Sequence, residues 1–197
     1  MTRLTQLTGL GAIALAACAP ERDPAANDVA TAQKAPDQAA PAVPPAAQPP
    51  ALAVDGEGLR LIDAASGSAR PIAFGTPQGA VMGMLAFRGP AETGRNEECG
   101  AGPIDSARWP DGLSLNFQEG RFAGWWISED TKGTITTPSG IGTGSTRADL
   151  ENAHSVEVAE STLGTEFHGS GIGGLLEGAG RDSKITALWA GATCVFR

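Results

Sequence analysis

A helix-start signal that occurs twice constrains the fold of this chain more than any other feature. Residues 140–150 read as a glycine turn, a Ser/Thr cap and the start of a short helix, with Asp149 near the positive end of the helix dipole. Residues 71–77 carry the same signal, with Thr76 as the expected cap and Pro77 as the first helical residue. Two copies of one signal predict a duplicated folding unit.

Strand patterns follow both signals and predict repeat halves at about 71–127 and 140–197. Each half is expected to contain one helix and about three antiparallel strands, and a β-hairpin over 52–62 is expected to precede them. The predicted class is therefore α+β, with the helices packed on one face of the sheet. The expected helices are 77–87 and 146–154, and the clearest expected strands are 113–117, 121–127, 163–168, 172–176 and 184–189.

The charge balance narrows the classes of partner. Fourteen basic residues face 22 acidic ones, which gives a net charge of -8 without any basic cluster. This composition argues against nucleic-acid binding and against electrostatic binding to anionic lipid. No apolar run approaches the roughly 20 residues of a transmembrane helix.

The N-terminus has the pattern of an export signal. Arg3 precedes a short apolar stretch that ends in the sequence Leu15-Ala16-Ala17-Cys18. This ending resembles the lipobox of bacterial lipoproteins, which implies that Cys18 is acylated and becomes the first mature residue. In Gram-negative lipoproteins an alanine such as Ala19 after the cysteine implies delivery to the outer membrane. The alternative is an ordinary signal peptide that happens to end near a cysteine.

Three segments follow from these patterns. Residues 1–17 form the expected signal peptide, and residues 18–51 form the lipidated cysteine and an Ala/Pro-rich tether without hydrophobic periodicity. The tether is expected to be disordered because it cannot bury enough apolar surface to offset the entropy of ordering. Residues 52–197 form the expected globular domain.

The tandem turns resemble those of known families. Both follow the pattern I-x-x-G-[ST], at 72–76 and 141–145, before a helix on an antiparallel sheet. This arrangement resembles the BamE-like lipoproteins and the β-lactamase-inhibitor-protein-like group. The ending W-A-G-x-x-C-x-F-R at 189–197 is similar to that of uncharacterised alphaproteobacterial lipoproteins. The resemblance covers roughly 72–197 and implies a fold that binds proteins and performs no chemistry, although the absence of Tyr disfavours an inhibitor.

Two cysteines remain in the expected domain, Cys99 and Cys194. In an exported domain they are expected to form a disulfide that ties the two halves together. Closing a loop of about 95 residues contributes up to about 4–5 kcal/mol in the chain-entropy description. The alternative is a reactive thiol pair, which neither C-x-x-C spacing nor a nearby His supports.

Other chemical motifs are weak. Residues 169–174 match G-x-G-x-x-G but lack the following helix that a dinucleotide site requires. His154 and His168 do not occur at metal-ligand spacing. Ser161 and Glu166 could complete a hydrolase triad with His168, but a nucleophile elbow is missing, so Glu166 and His168 are expected on a strand facing solvent. No enzyme activity, metal or cofactor is predicted.

Strand alternation suggests a candidate partner-binding pair, Trp125 and Leu188. If side chains alternate regularly, these two residues lie on a polar outer face at equivalent positions of the two halves. Exposed apolar residues grouped on a sheet often mark an interaction site. The alternative is that the connector 128–139 or the N-terminal hairpin covers them. The six residues expected on the core face are Phe122, Gly124, Trp126, Ile185, Ala187 and Trp189.

These observations favour an outer-membrane-anchored lipoprotein on the periplasmic face, in contact with the membrane through its lipid alone. Its domain is expected to be a non-catalytic module that binds an envelope protein or another envelope component. The alternatives are a periplasmic enzyme or enzyme inhibitor, and a purely structural envelope protein.

Replacing the lipobox cysteine tests the anchor. We expect Cys18→Ala to move the protein from the membrane fraction to the soluble periplasm, or to leave it unprocessed, because the acylated side chain is gone. Fractionation and mass spectrometry of the mature N-terminus measure this. A wild-type protein that is soluble and cleaved elsewhere would contradict the prediction.

Overall fold

The predicted N-terminal hairpin is present and extends into a three-stranded sheet. A computed structural model describes residues 48–131 and 133–194. The first sheet contains β1 (Ala51–Asp55), β2 (Gly58–Ile62) and β3 (Ala69–Ala73), paired antiparallel in that order. The expected signal peptide, Cys18 and most of the tether lie outside the described residues.

The remaining strands form one antiparallel sheet of eight, in the order β4-β5-β6-β7-β11-β10-β9-β8. A helix precedes each set of four strands, α1 (Gln78–Met84) before β4 and α2 (Arg147–Ala153) before β8. The fold is therefore mixed and dominated by sheets, with four strands after each helix where about three were expected. The strands are β4 (Glu92–Asn96), β5 (Ile104–Arg108), β6 (Leu113–Gln118), β7 (Arg121–Ser128), β8 (Glu157–Ser161), β9 (Gly164–Gly169), β10 (Ile172–Leu176) and β11 (Ile185–Gly191).

One apolar core joins the two sheets and the two helices. Val81 of α1 and Leu150 of α2 are fully buried in it, and so are Leu59 and Ile72 of the small sheet. Each helix has seven residues, which is too few for an isolated helix to be stable in water. Burying a side chain of this size contributes about 1.5–3 kcal/mol and compensates for that instability. The helices are therefore stable because they pack on this core, rather than through their own propensity.

A β-bulge changes which residues of β7 face the core. Asn116 of β6 pairs with Gly124 and Phe117 pairs with Phe122, so Ala123 is an extra residue on β7. An extra residue reverses the alternation of the side chains that follow it. Phe122 faces the core as predicted, but beyond the bulge Trp125 faces the core and Gly124 does not.

The same change occurs in β11. Leu175 of β10 pairs with Ala187 and Leu176 pairs with Ile185, so Thr186 is the extra residue. Ile185 faces the core as predicted, and Leu188 faces it as well. Ala187 and Trp189 are buried, each 5% exposed, but they lie on the opposite face with Trp126, so the face predicted for them is wrong.

The cap of α2 is a reciprocal pair of hydrogen bonds. The Asp149 N–H donates to the Thr146 hydroxyl at 3.1 Å, and the Thr146 N–H donates to the Asp149 carboxylate at 3.2 Å. These bonds satisfy two donors that have no partner inside the helix. The expected Ser/Thr cap is confirmed, and the helix begins at Arg147, one residue after the expected start.

The start of α1 lies one residue later than predicted. Pro77 occupies the N-cap position, and the helix has no side-chain cap. The Thr76 hydroxyl, which was expected to cap the helix, donates instead to the Ala73 carbonyl at 2.7 Å. The Gln78 N–H donates to the Gly120 carbonyl at 2.8 Å, so the turn before β7 takes over the role of the cap.

The cap of α2 predicts a pH dependence of stability. Hydrogen bonds from the Thr146 hydroxyl and backbone lower the pKa of Asp149 in the folded protein. The stabilisation is therefore present above the ordinary carboxyl pKa of about 3.9 and is lost as the pH falls through the lower, folded value. We expect urea unfolding to show wild type more stable than Asp149→Asn at pH 7, and this gap to shrink near pH 3. Glu98→Gln, which removes an exposed carboxylate outside the helix, is the control, and a gap that does not change with pH would contradict the prediction.

The bulge predicts unequal roles for two adjacent tryptophans. We expect Trp125→Ala to lower the free energy of unfolding by roughly 3–5 kcal/mol, because the side chain is fully buried. Trp126→Ala removes the same side chain from a half-buried position on the other face and should cost less. Chemical denaturation of both variants measures this, and an equal or reversed order would contradict the assigned faces.

Candidate binding face

The side of the eight-stranded sheet that faces away from the core is called the open face here. Residues directly opposite each other on antiparallel strands share a face, so the strand register identifies its members. One row of such pairs crosses all eight strands through the centre of the sheet. The row contains Glu92, Arg108, Ser114, Trp126, Trp189, Gly173, His168 and Glu157.

Two stacked tryptophans form the centre of the open face. Trp126 of β7 pairs with Trp189 of β11, and their rings lie 4.8 Å apart at an angle of 4°. Gly173 provides the space for this stack, because a Cβ atom there would lie 2.7 Å from Trp189 Nε1. The His168 ring meets Trp189 edge-on, with 6.2 Å between centroids. Gly173 and His168 therefore fix the position of the Trp189 ring in the stack.

A cleft of about 750 Å³ opens on this face beside Trp126. The exposed side chain of Leu163, at the tip of the β8–β9 hairpin, forms part of its rim. The Arg108 Nε donates to the Ser114 hydroxyl at 3.2 Å, which orients the guanidinium beside the cleft. The other lining residues are Trp109, Pro110, Gly112, Asn116, Ser128, Asp130, Leu175, Thr193 and Cys194.

Residues 192–194, called the strap here, cross the open face after β11. The Ala192 N–H donates to the Ala123 carbonyl at 2.8 Å, and Asn116 Nδ2 donates to the Ala192 carbonyl at 2.9 Å. Gly124 permits this close approach, because a Cβ atom there would lie 2.2 Å from the Ala192 oxygen. Cys194 lines both the cleft and a second hollow of about 420 Å³ beside β4. The strap thus forms a wall of the cleft.

The structure brings the two domain cysteines together. Cys99 is buried, Cys194 is half-buried, and both are free thiols in contact with each other. Their mutual hydrogen bond, together with burial, raises the pKa of the Cys194 thiol. Asn96 Nδ2 also donates to the Cys194 sulfur at 3.3 Å. The predicted disulfide partners are therefore neighbours, and the bond itself stays a prediction.

Ser161, Glu166 and His168 also meet, but their order differs from that of a hydrolase triad. The Ser161 hydroxyl donates to Glu166 Oε1 at 2.5 Å, and His168 Nε2 lies 2.8 Å from Glu166 Oε2. In the serine-hydrolase relay the imidazole contacts the serine and the acid. Here the carboxylate lies between the other two groups. The expectation that Glu166 faces solvent is wrong, since it is only 3% exposed.

The predicted partner-binding pair is not exposed. Trp125 and Leu188 have no accessible surface, because the two bulges turn them toward the core. The Trp125 Nε1 donates to the Asp55 carbonyl at 2.8 Å, so the N-terminal hairpin covers this tryptophan. The prediction that these two side chains contact a partner is therefore wrong, and the alternative of a covering hairpin holds for Trp125.

Sequence reasoning placed Trp126 and Trp189 in the core and so missed the open face. The sequence nevertheless aligns them at equivalent positions of the two expected halves. Only the extra residues Ala123 and Thr186 move them outward, and neither residue type marks a bulge.

The described residues contain neither a metal-binding group of side chains nor a membrane-spanning helix. Among them, no three His, Cys, Asp or Glu side chains are grouped so that they could hold a metal ion. None of the helices in the described part of the chain is long and apolar enough to cross a membrane.

Comparison with known proteins adds one distant likeness. No protein-family model and no curated protein matches the sequence. The fold is similar to the crystal structure of the uncharacterised protein YfeY from Escherichia coli, with 14% sequence identity and a TM-score of 0.45. The match covers 71% of this chain and 99% of that chain.

The contact between the thiols predicts a disulfide in the exported protein. We expect non-reducing peptide mapping to find Cys99 linked to Cys194. Reduction should lower the free energy of unfolding by up to about 4–5 kcal/mol, because the unfolded chain regains the conformational entropy that the closed loop removed. Cys99→Ser and Cys194→Ser should each reproduce the reduced stability, since either change removes the same bond. Two alkylatable thiols in protein purified from the periplasm would contradict the prediction.

Proposed function

We propose that this protein is a lipid-anchored envelope protein whose domain is a non-catalytic binding module, and that its ligand contacts the open face. The observation that carries the proposal is the cleft of about 750 Å³ beside the stacked Trp126 and Trp189. A concave site with apolar walls and a few polar groups is the usual form of a ligand site. Tryptophan is also a frequent centre of binding energy at interfaces.

The anchor and the compartment rest on the N-terminal sequence. The lipobox-like residues 15–18 and Ala19 support an outer-membrane lipoprotein on the periplasmic face. The Ala/Pro-rich segment 18–51 would then separate the domain from the bilayer. A tether of this composition suits a module that reaches for a component of the envelope.

Matching hydrogen bonds support the proposed duplication. The Phe122 N–H donates to the Thr76 carbonyl at 2.8 Å, and the Ile185 N–H donates to the Ser145 carbonyl at 2.9 Å. Both bonds link the turn before a helix to the last strand of its own half. The two bulges also occur at the same place in each half. Under this proposal the stacked tryptophans are equivalent residues that meet at the junction of the two copies.

In-cell footprinting tests whether the open face binds a ligand. We expect Leu163, exposed at the rim of the cleft, to be less oxidised by hydroxyl radicals in intact cells than in purified full-length protein. Phe87, an exposed aromatic in the short 3-10 helix after α1, is the internal control and should be oxidised equally in both samples. Quantitative mass spectrometry of the oxidised peptides gives both ratios.

Equal oxidation of Leu163 in cells and in purified protein would overturn the proposed function. Protection of Leu163 and Phe87 together would overturn it as well, because it would indicate general shielding by the envelope rather than binding at the cleft.

A further inference from the structure

The floor of the cleft presents a flat aromatic surface. Trp189 covers one face of the Trp126 ring, so the part of Trp126 that lines the cleft consists of its other face and its edges. Leu163 and Leu175 add apolar surface beside it. A ligand that fits must therefore offer a flat apolar face of its own.

The rim of the cleft carries hydrogen-bonding groups of both kinds. Arg108 supplies donors, Asp130 supplies acceptors, and the Ser128 hydroxyl supplies both. Asn116 and Thr193 add an amide and another hydroxyl. A matching ligand therefore has polar groups around its edge that both donate and accept.

Charge argues against an ionic ligand. Among the lining residues of the described structure, Arg108 is the one cation and Asp130 the one anion, so their charges cancel. The whole chain carries a net charge of -8, which repels anions at long range. The guanidinium of Arg108 offsets the attraction that the single carboxylate of Asp130 would exert on a cation.

The position of the cleft argues against an added peptide strand. A bound strand extends a sheet at an edge, and the edges here are β4 and β8. The cleft instead lies over the middle of the sheet, beside β6 and β7. Its volume falls within the roughly 300–1,000 Å³ range of small-ligand sites, which is enough for a few sugar rings.

We infer that the ligand of the cleft is a neutral saccharide, an inference that rests on the proposed function. A sugar ring has a face of C–H groups that can stack on Trp126, and its edge carries hydroxyl groups that both donate and accept. Arg108, Asp130 and Asn116 form the hydrogen bonds to that edge, and Leu163 contacts the ring from the rim of the cleft.

Titration of the full-length protein in detergent tests this inference with two neutral probes, N-acetylglucosamine trisaccharide and maltotriose. We expect at least one probe to bind saturably and to change tryptophan fluorescence, with calorimetry giving the Kd. Trp126→Ala should raise Kd at least tenfold, and Leu163→Ala should raise it several-fold. Phe87→Ala, which changes an exposed aromatic that does not line the cleft, should leave Kd unchanged.

Two results would overturn the inference. One is that neither saccharide binds; the other is that binding persists unchanged in Leu163→Ala and in Arg108→Gln. These two positions are exposed, so the test stands even if Trp126→Ala fails to fold. Leu163 protected in cells, with neither saccharide bound, would overturn the saccharide class and leave the proposed binding module in place. A protein crosslinked at the cleft in that case would identify the other class of ligand.

Discussion

The pairing of β7 with β11 is the interaction on which the rest of the structure depends. It joins two four-stranded meanders into one sheet, and its register places Trp126 opposite Trp189. On the core side the same register places Trp125 opposite Ala190. A slip by one residue would exchange the two faces, so that large apolar side chains would leave the core while residues of the open face entered it. The core and the open face are therefore specified together.

Local signals predicted the helix starts, the first hairpin and most of the strands. Those signals act over a few residues, as the cap formed by Thr146 and Asp149 shows. The strand β4 was missed because it is polar and mostly exposed at a sheet edge, where burial imposes no apolar pattern. The bulges were missed for a different reason. Their extra residues, Ala123 and Thr186, are ordinary strand residues, and only the pairing with a neighbouring strand reveals them.

The same contrast between local signals and long-range strand pairing explains which site residues could be predicted. The cysteines could be predicted as partners from their number and the expected export of the chain alone. The faces of the tryptophans depended on alternation counted along a whole strand, so one added residue reversed the result. Glu166 was misplaced because a lone carboxylate on a strand usually faces water. Ser161 and His168, which the topology places beside it, compensate this burial with hydrogen bonds.

The nested strand order has a consequence for folding. Each meander pairs strands that are close in sequence, whereas β7 and β11 are far apart in sequence. Because long-range contacts cost more chain entropy, we expect the pairing of β7 with β11 to form last. A chain that folds from its N-terminus would expose the edge of β7, with Trp125 and Ile127, until β11 arrives. An unpaired apolar edge is a template for aggregation. The first meander, before β11 pairs with β7, is therefore the state that is most exposed to aggregation.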